Sequence, residues 1–384
     1  MEQQLKKRFE EKFSSAPLMV KSPGRINFIG EHTDYNEGFV LPAAIDKFAL
    51  AAVSKRNDNS IHLFSTAYNE YHVSSLQDLS SAGKQWPSYI LGVVHQLQEH
   101  GSSLSGFNLM ITGNVPIGAG MSSSAAIECA SIFALNELFE AGISKTDLAK
   151  MAQKAEHDFA GVKCGIMDQF TSLFGKAGHV IRLDCRTLEH EYVPFRSASL
   201  KIVLLDTCVR HSLASSAYNE RRRQCEEGVE LIQRHEPGVK SLRDVNMLML
   251  KKYIKDPLIY RRCQYVVEET ERLNQACLYL TENNMSAFGA KMYATHEGLS
   301  HLYEVSCPEL DCLIEAVRNC DAVLGARMMG GGFGGCTINI VKDEAVEQVI
   351  AMAAKTYREQ CARDLKAYVV NIGSGASVVQ ASEG

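Results

Sequence analysis

A segment rich in glycine and serine, Val115 to Ala126, constrains the fold of this chain more than any other. It contains Gly118 and Gly120, followed by three serines, and leads into an apolar, helix-like run from Ile127 to Leu138. Glycines let backbone N–H groups turn toward a ligand, and the first four amides of a helix lack partners within the helix. The segment therefore predicts either a cradle for an anion such as phosphate or an ordinary helix with a serine cap.

Length and charge restrict the class of protein. With 384 residues, 46% of them hydrophobic, the chain is long enough for two domains with sizeable cores. A net charge of −5 argues against nucleic acid or an anionic membrane as a partner, because such surfaces require clustered Lys and Arg. No run approaches the roughly 18 apolar residues of a membrane span, and residues 1–13 lack the apolar core of a signal peptide. We expect a soluble, cytoplasmic monomer.

Cysteine and histidine spacing gives no sign of a disulfide scaffold or a zinc site. The 12 cysteines occur singly, without a C-x-x-C pair, which is typical of reduced thiols in a cytosolic protein. None of the 12 histidines forms H-E-x-x-H or another metal-binding spacing. Most cysteines are therefore expected to be small core residues.

A second segment, residues 22–36, concentrates charged and polar groups in a stretch that contains proline and glycine. Arg25, Glu31, His32 and Asp34 fall within ten residues of one another. Carboxylates, an imidazole and a guanidinium offer alternating acceptors and donors that suit the hydroxyl groups of a sugar. The alternative is a polar surface loop.

Two further carboxylates lie on predicted helices. Glu156 falls at the edge of the apolar stripe of a helix that begins with the capping box Ser144 to Asp147, so it needs a metal ion or a basic partner unless it is a surface glutamate. Asp168 lies in the first turn of the next helix, where the helix dipole favours an ionised acceptor. The alternative for Asp168 is an ordinary aspartate at a helix start.

A third glycine-rich segment, Arg327 to Cys336, leads into a strand from Thr337 to Val341. Its glycines satisfy G-x-G-x-x-G, but that dinucleotide-binding fingerprint opens a helix rather than a strand. A glycine hairpin pressed against a neighbouring loop or ligand fits better. No G-x-x-x-x-G-K-[ST] sequence is present, which excludes a P-loop. Trp86 and Tyr89 are either core aromatics or the walls of a flat purine pocket.

Together the three segments resemble the signature motifs of the GHMP small-molecule kinases, and residues 24–35 are similar to those of its galactose-specific members. The resemblance implies an α+β fold of two domains, each a mixed or antiparallel sheet covered by helices, with the active site in the cleft between them. We place the domains at residues 1–195 and 196–384, with the C-terminal tail free to pack back on the first domain.

The resemblance also implies roles for individual residues. Asp168 would be the base or the orienting carboxylate at the C1 hydroxyl of the sugar, and Arg25 would keep it ionised and neutralise charge on the moving phosphoryl group. The expected sugar contacts are Glu31, His32, Thr33, Asp34, Gly165 and Tyr218. The expected ATP contacts are Trp86 and Tyr89 at the adenine and Gly118, Ala119, Gly120, Met121, Ser122, Ser123 and Ser124 at the phosphates. Ser124 and Glu156 would ligate Mg²⁺.

The implied reaction is transfer of the γ-phosphoryl group of ATP to the C1 hydroxyl of α-D-galactose. Alternatives are a kinase for N-acetylgalactosamine or another small alcohol, and a sensor that binds sugar and ATP without chemistry. Two positions depart from the usual pattern. Met329 stands where threonine is common, which removes a hydroxyl, and Met121 replaces leucine, a change that conserves volume.

Overall fold

The structure is a computed structural model that describes residues 1–80, 85–196, 199–210 and 214–380. Its helices are α1 (Glu2–Phe13), α2 (Gln85–Glu99), α3 (Ser123–Phe139), α4 (Lys145–Ala155), α5 (Met167–Phe174), α6 (Ala214–Gln233), α7 (Met247–Tyr253), α8 (Pro257–Thr281), α9 (Met285–Glu297), α10 (Pro308–Arg318) and α11 (Val346–Cys361). Short 3-10 or π turns cover Asp34–Asn36, Glu156–Ala160, Leu242–Asp244, Gly298–Leu302 and Asp343–Ala345.

The strands form three sheets. They are β1 (Leu18–Asn27), β2 (Phe39–Val40), β3 (Pro42–Lys55), β4 (Ser60–Ser65), β5 (Glu70–Ser75), β6 (Phe107–Gly113), β7 (His179–Asp184), β8 (His190–Pro194), β9 (Leu200–Arg210), β10 (Val323–Met328), β11 (Gly334–Lys342), β12 (Lys366–Val370) and β13 (Ser377–Val378). A six-stranded sheet has the order β13-β1-β3-β6-β4-β5, a four-stranded sheet β10-β11-β9-β12, and a three-stranded sheet β2-β7-β8.

The architecture is α+β, as predicted. In the six-stranded sheet β4 pairs with β6 in parallel and the other pairs are antiparallel, whereas the four-stranded sheet is antiparallel throughout. Helix α3 packs on β1 and β3 with an almost wholly buried surface. Apolar residues occur on every side of α3, as is typical of a helix buried in a core. Because α3 is packed in this way, its first residues lie beside the end of β1.

The last strand returns to the first sheet. β13 pairs with β1 through Val378 opposite Val20 and Ser377 opposite Lys21. The six-stranded sheet is therefore built from the first 113 residues of the chain and from its C-terminal end. The division into residues 1–195 and 196–384 stays a prediction.

The first strand is longer than the sequence indicates. Proline and glycine predict a loop from Ser22 onward, but β1 continues to Asn27 and pairs with β3 across an irregularity between Pro23 and Arg25. The irregularity accommodates the proline, which cannot donate to the ladder. A side chain at Gly24 would lie 2.6 Å from the carbonyl oxygen of Met121. The strand thus carries Arg25 directly to the glycine-rich loop.

Several local predictions are confirmed. The Ser144 side chain caps α4 by accepting from the Asp147 amide. The third glycine segment is the hairpin between β10 and β11, which pair antiparallel. The cysteines are free thiols. Among the described helices, none combines the length and apolar character needed to cross a membrane.

Candidate active site

Two neighbouring cavities lie at the N-terminal ends of α3 and α5. One, of about 610 Å³, is polar and is lined by Arg25, Glu31, His32, Asp34, Glu156, Val162, Cys164, Met167, Asp168, Tyr218, Gly330 and Gly331. The other, of about 710 Å³, is mainly apolar and includes Trp86, Tyr89, Ser123 and Ser124 in its walls. The polar cavity thus draws on residues that are more than 300 positions apart in the sequence.

Arg25 and Asp168 form a paired contact in the wall of the polar cavity. Arg25 Nε donates to Asp168 Oδ1 at 2.8 Å and Arg25 Nη2 donates to Oδ2 at 3.0 Å. The arginine side chain is 6% exposed and the aspartate side chain 22%, so the carboxylate still reaches the cavity. Although burial acts against the charged guanidinium, Asp168 and then Glu31 raise the pKa of Arg25. Two parallel bonds hold the carboxylate in one orientation.

The glycine-rich loop is attached to this pair. Arg25 Nη1 also donates to the carbonyl oxygen of Gly120, the Arg25 amide donates to the carbonyl oxygen of Met121 at 3.1 Å, and the Ser122 hydroxyl donates to Asp168 Oδ2. The loop and the carboxylate are therefore held at a fixed distance from each other.

Glu31 is held by the third glycine segment. Its Oε1 accepts from Arg327 Nη2 at 2.9 Å and from the Gly330 amide at 2.7 Å. Burial alone would raise the pKa of Glu31, but the charges of Arg327 and Arg25 lower it. Arg327 is fully buried and also donates to the carbonyl oxygens of Phe28 and Asn27. Glu31 is thus an ionised acceptor tied to a distant part of the chain.

Asp34 lies against a glycine that cannot be replaced without a clash. A Cβ added at Gly165 would overlap the Asp34 carboxylate. Burial, together with repulsion from Asp168 and Glu31, raises the pKa of Asp34 to about 7. Asp34 is therefore a carboxyl group whose charge changes near neutral pH.

His32 and Tyr218 form an aromatic wall. Their ring centroids are 5.2 Å apart, and both residues line the polar cavity. Burial lowers the pKa of His32 to about 4, so the imidazole is neutral at pH 7. Thr33 is placed differently: its hydroxyl donates to the carbonyl oxygens of Gly30 and Phe39, at 2.8 and 2.6 Å. It shapes the loop instead of lining the cavity.

The second cavity has a shape and composition that suit a planar aromatic ligand. Trp86 and Tyr89, one helical turn apart on α2, line it together with Tyr68, Phe48 and several aliphatic side chains. Trp86 Nε1 donates to Glu70 Oε2 at 3.0 Å, which fixes the indole ring. The combination of aromatic faces and a serine-bearing edge is typical of a site for a small organic ligand.

The glycine-rich loop connects the two cavities. Positive φ angles at Gly118, Gly120 and Ser122 turn successive peptide groups, and such turns form concave anion-binding sites. Ala119 and Met121 are buried and anchor the loop in the core, so only their backbone groups are available to a ligand. Ser123 and Ser124 begin α3 at the rim of the apolar cavity.

A buried polar cluster lies behind the loop. The Ser124 hydroxyl lies near the Glu156 carboxylate and acts to lower its pKa, and Gln169 Nε2 donates to Glu156 Oε2 at 2.7 Å and to Glu128 Oε2 at 3.1 Å. Burial and then the charge of Asp168 raise the pKa of Glu156. Burial followed by Glu156 raises the pKa of Glu128 well above its usual range. Ser124 and Glu156 thus connect the two cavities through an oxygen-rich contact.

Sequence reasoning missed the residues that hold the loop from the second half of the chain. Glu269 on α8 accepts from the Gly30 amide at 2.8 Å, and Tyr265 donates to the Glu31 carbonyl oxygen at 2.9 Å. Helical spacing marks both as buried positions of α8. Because periodicity says nothing of the partner, no local signal connects them to residues more than 200 positions earlier.

Comparison with known proteins shows the family of the chain. Residues 88–176 match the GHMP kinases N terminal domain, residues 7–55 the galactokinase galactose-binding signature, and residues 276–359 the GHMP kinases C terminal family. A galactokinase from Thermosipho africanus is 39% identical over 363 residues, which span 94% of this chain and all of that protein. One from Roseiflexus sp. is 37% identical over 380 residues, 98% of this chain and 97% of that protein.

Solved structures show the same fold. The structure of Lactococcus lactis galactokinase complexed with galactose superimposes with a TM-score of 0.94 at 33% identity, covering 98% of this chain and 99% of that one. Methanococcus jannaschii mevalonate kinase gives a TM-score of 0.67 at 17% identity, covering 94% and 99% of the two chains. The second likeness concerns the fold alone.

Proposed function

The chain belongs to the galactokinase family of GHMP kinases, and from this premise we propose that it transfers the γ-phosphoryl group of ATP to the C1 hydroxyl of α-D-galactose. The products are α-D-galactose 1-phosphate and ADP. The observation that carries the proposal is the two-bond contact between Arg25 and Asp168 beside the glycine-rich loop. That contact puts a fixed carboxylate between a cavity suited to a sugar and a loop suited to phosphates.

The polar cavity binds the sugar. Glu31, ionised and held by Arg327, accepts hydrogen bonds from sugar hydroxyls. Asp34 accepts another when ionised, and Gly165 provides the space that the Asp34 carboxylate needs. His32 offers one ring nitrogen, and Tyr218 forms the wall beside it. Several fixed polar groups in a confined cavity orient the ligand and select its stereochemistry.

Asp168 then removes the proton from the C1 hydroxyl. The sugar oxygen forms a bond to the γ-phosphorus of ATP while the bond from that phosphorus to the bridging oxygen of ADP breaks. A positioned base contributes about 10²- to 10⁴-fold to such a transfer. Arg25 keeps Asp168 in place and, being charged, offsets the negative charge that the phosphoryl group carries.

ATP lies with its base in the apolar cavity and its phosphates along the loop. Trp86 and Tyr89 contact the adenine ring, and the backbone amides of residues 118–124 approach the phosphates. The arrangement aligns the γ-phosphorus with the sugar oxygen. Positioning of this kind supplies much of the rate in phosphoryl transfer.

Ser124 and Glu156 have the donor atoms of a Mg²⁺ site. One hydroxyl and one carboxylate, close to each other, offer the oxygen ligands that Mg²⁺ takes together with phosphate and water. No group of three or more His, Cys, Asp or Glu side chains in the described ranges forms a metal cage. When bound, Mg²⁺ supplies charge neutralisation at the phosphates.

Release of ADP on addition of galactose to the protein, ATP and Mg²⁺ tests the proposal. We expect turnover with galactose and little with glucose or N-acetylgalactosamine. Faster turnover with N-acetylgalactosamine would assign the site to that sugar. Binding of galactose and ATP without ADP release would identify a sensor. The expected form of the enzyme is a cytoplasmic monomer, to be checked by its mass in solution.

A further inference from the structure

A buried chain of hydrogen bonds runs from His32 away from the sugar cavity. His32 Nδ1 lies 2.8 Å from Tyr35 Oη, which lies 2.8 Å from Tyr303 Oη. Cys225 Sγ, on α6, lies 3.1 Å from the same Tyr303 oxygen. Tyr303 and Cys225 are almost completely buried. The chain therefore connects a sugar-cavity residue to two elements of the second half of the sequence.

The other ring nitrogen of His32 is the one available to a ligand. Nε2 is buried, and no group among the described residues completes a hydrogen bond to it. His32 itself is 2% exposed and lines the polar cavity. A buried polar atom without a partner costs free energy, and a sugar hydroxyl in the cavity would supply the partner.

The direction of the hydrogen-bond chain decides what Nε2 offers. In a neutral imidazole one ring nitrogen carries a proton and the other does not. If one nitrogen accepts a hydrogen bond, the other is therefore the protonated one. If Tyr35 donates to Nδ1, then Nε2 is a donor. If Nδ1 donates to Tyr35, then Nε2 is an acceptor.

Acceptor strengths favour the first direction. In it, the phenol of Tyr35 donates to an imidazole nitrogen, Tyr303 donates to Tyr35, and the Cys225 thiol donates to Tyr303. The reverse direction ends with a phenol donating to sulfur, a weak acceptor.

We infer that Tyr35 and Tyr303 are positioning residues that hold His32 as its Nε2–H tautomer, so that His32 donates a hydrogen bond to a sugar hydroxyl oxygen. The inference rests on the proposed function, since it assigns the ligand of this cavity as a sugar. The inference also gives the residues of the cavity different roles. Glu31 and Asp34 accept hydrogen bonds from sugar hydroxyl groups, whereas His32 donates one to a sugar hydroxyl oxygen.

Singly modified galactoses test the donor role. Fluorine accepts a hydrogen bond weakly but cannot donate one, whereas hydrogen does neither. At the hydroxyl that faces His32, the fluoro sugar should therefore bind more tightly than the deoxy sugar. This preference should be lost in His32→Phe. Equal binding of the fluoro and deoxy sugars at every position, or a preference that survives His32→Phe, would overturn the inference.

Variants of the chain test the positioning role. Tyr35→Phe and Tyr303→Phe should each raise the galactose Kd about threefold to tenfold, the range for one hydrogen bond. The kcat and the KM for ATP should stay within about twofold of the original. Cys225→Ser keeps a donor and should behave like the original, while Cys225→Ala should weaken galactose binding.

Tyr357→Phe is the matched control for lost packing and stability. It removes the hydroxyl of a buried tyrosine that donates to the Thr207 carbonyl oxygen at 2.9 Å, outside the cavity. We expect an unchanged galactose Kd. If Tyr357→Phe weakens galactose binding as much as Tyr303→Phe, general destabilisation explains both and the inference fails.

The ¹⁵N NMR spectrum of protein labelled at histidine reports directly which ring nitrogen of His32 is protonated. With the His32 signals identified by their absence in His32→Phe, we expect a protonated Nε2 and an unprotonated Nδ1 when galactose is bound. A protonated Nδ1 would overturn the inference while leaving the proposed kinase function intact. Absence of galactose binding to the original protein would instead overturn the proposed function.

Discussion

Arg25 of β1 holds the carboxylate of Asp168 at the start of α5 by two parallel bonds of 2.8 and 3.0 Å. The pair joins the first sheet to α5, which begins at Met167, 142 residues after Arg25. Because Ser122 contacts the same carboxylate, any displacement of α5 also displaces the glycine-rich loop. A single carboxylate thus links β1, α5 and the glycine-rich loop.

Replacing Asp168 by asparagine should lower kcat at least about 10²-fold, since the amide cannot accept the hydroxyl proton. Galactose binding should survive, as measured by calorimetry, because Glu31 and Asp34 remain. Asp184→Asn is the control: Asp184 also accepts two bonds from one arginine, Arg243, but outside the cavity. Near-normal turnover of Asp168→Asn would contradict the assignment of the base.

Replacing Glu156 by glutamine should raise the Mg²⁺ concentration needed for half-maximal activity, because a neutral amide is a poorer ligand for a hard cation. Binding of Mn²⁺ in the presence of ATP, followed by electron paramagnetic resonance, should weaken in parallel. Glu137→Gln on the exposed side of α3 serves as the comparison. Identical metal titrations for Glu156→Gln and the original protein would count against a ligand role.

Galactose affinity should rise with pH through about 7. Burial and the neighbouring carboxylates raise the pKa of Asp34 to about 7, so in the free protein Asp34 is neutral below that pH. A hydroxyl that donates to Asp34 favours the ionised form, and binding then releases a proton. The Kd should fall about tenfold between pH 6 and pH 8.

Calorimetry in buffers of different ionisation enthalpy measures that proton release, and Asp34→Asn should abolish it. Uptake of a proton when galactose binds would contradict this prediction. The same shift should make the folding stability of the free protein depend on pH. Because the pKa of Asp34 is higher in the folded protein than in the unfolded chain, its contribution to folding stability is fully present below pH 3.8. This contribution is lost as the pH rises toward 7.

A methyl group at Gly165 should weaken galactose binding and leave ATP binding unchanged. The added Cβ of Gly165→Ala overlaps the Asp34 carboxylate, so one of the two residues must move. Gly238→Ala is the control, because the space around Gly238 is open. Fluorescence or calorimetric titration with each ligand separates the two effects, and a parallel loss of ATP affinity would point to general unfolding.

Loss of Arg327 should destabilise the whole protein. Arg327→Met leaves Glu31 buried without its charged partner, and breaking a buried ion pair in this way costs about 3–5 kcal/mol. Arg318→Met removes the partly exposed contacts with Glu315 and Glu297 and should cost about 0–1 kcal/mol. Urea unfolding measures both variants; equal values would show that the Arg327 contact contributes little.

The parts of the site that depend on local sequence could be predicted. The turn of glycines before α3, the cap of α4 and the position of Asp168 in the first turn of α5 follow from caps, periodicity and φ preferences. The hairpin at Gly330 follows from the order of glycines and strand. In each case the determining interactions lie within a few residues of one another.

The contacts that position the loop after β1 could not be predicted in the same way. Glu31 meets Arg327 across 296 residues, and Gly30 meets Glu269 across 239. Their side-chain types predict only that each needs a buried partner, and many residues would satisfy that need. Thr33 shows the same limit, because its hydroxyl faces the backbone of its own loop, which no spacing rule indicates.

The pairing of β13 with β1 has a consequence for synthesis. The outer edge of β1 carries unpaired backbone groups until Ser377 and Val378 leave the ribosome. Exposed strand edges of this kind favour association between chains. The first sheet therefore gains its last strand only after Val378 has been synthesised, and a chain cut short before Ser377 keeps that edge open.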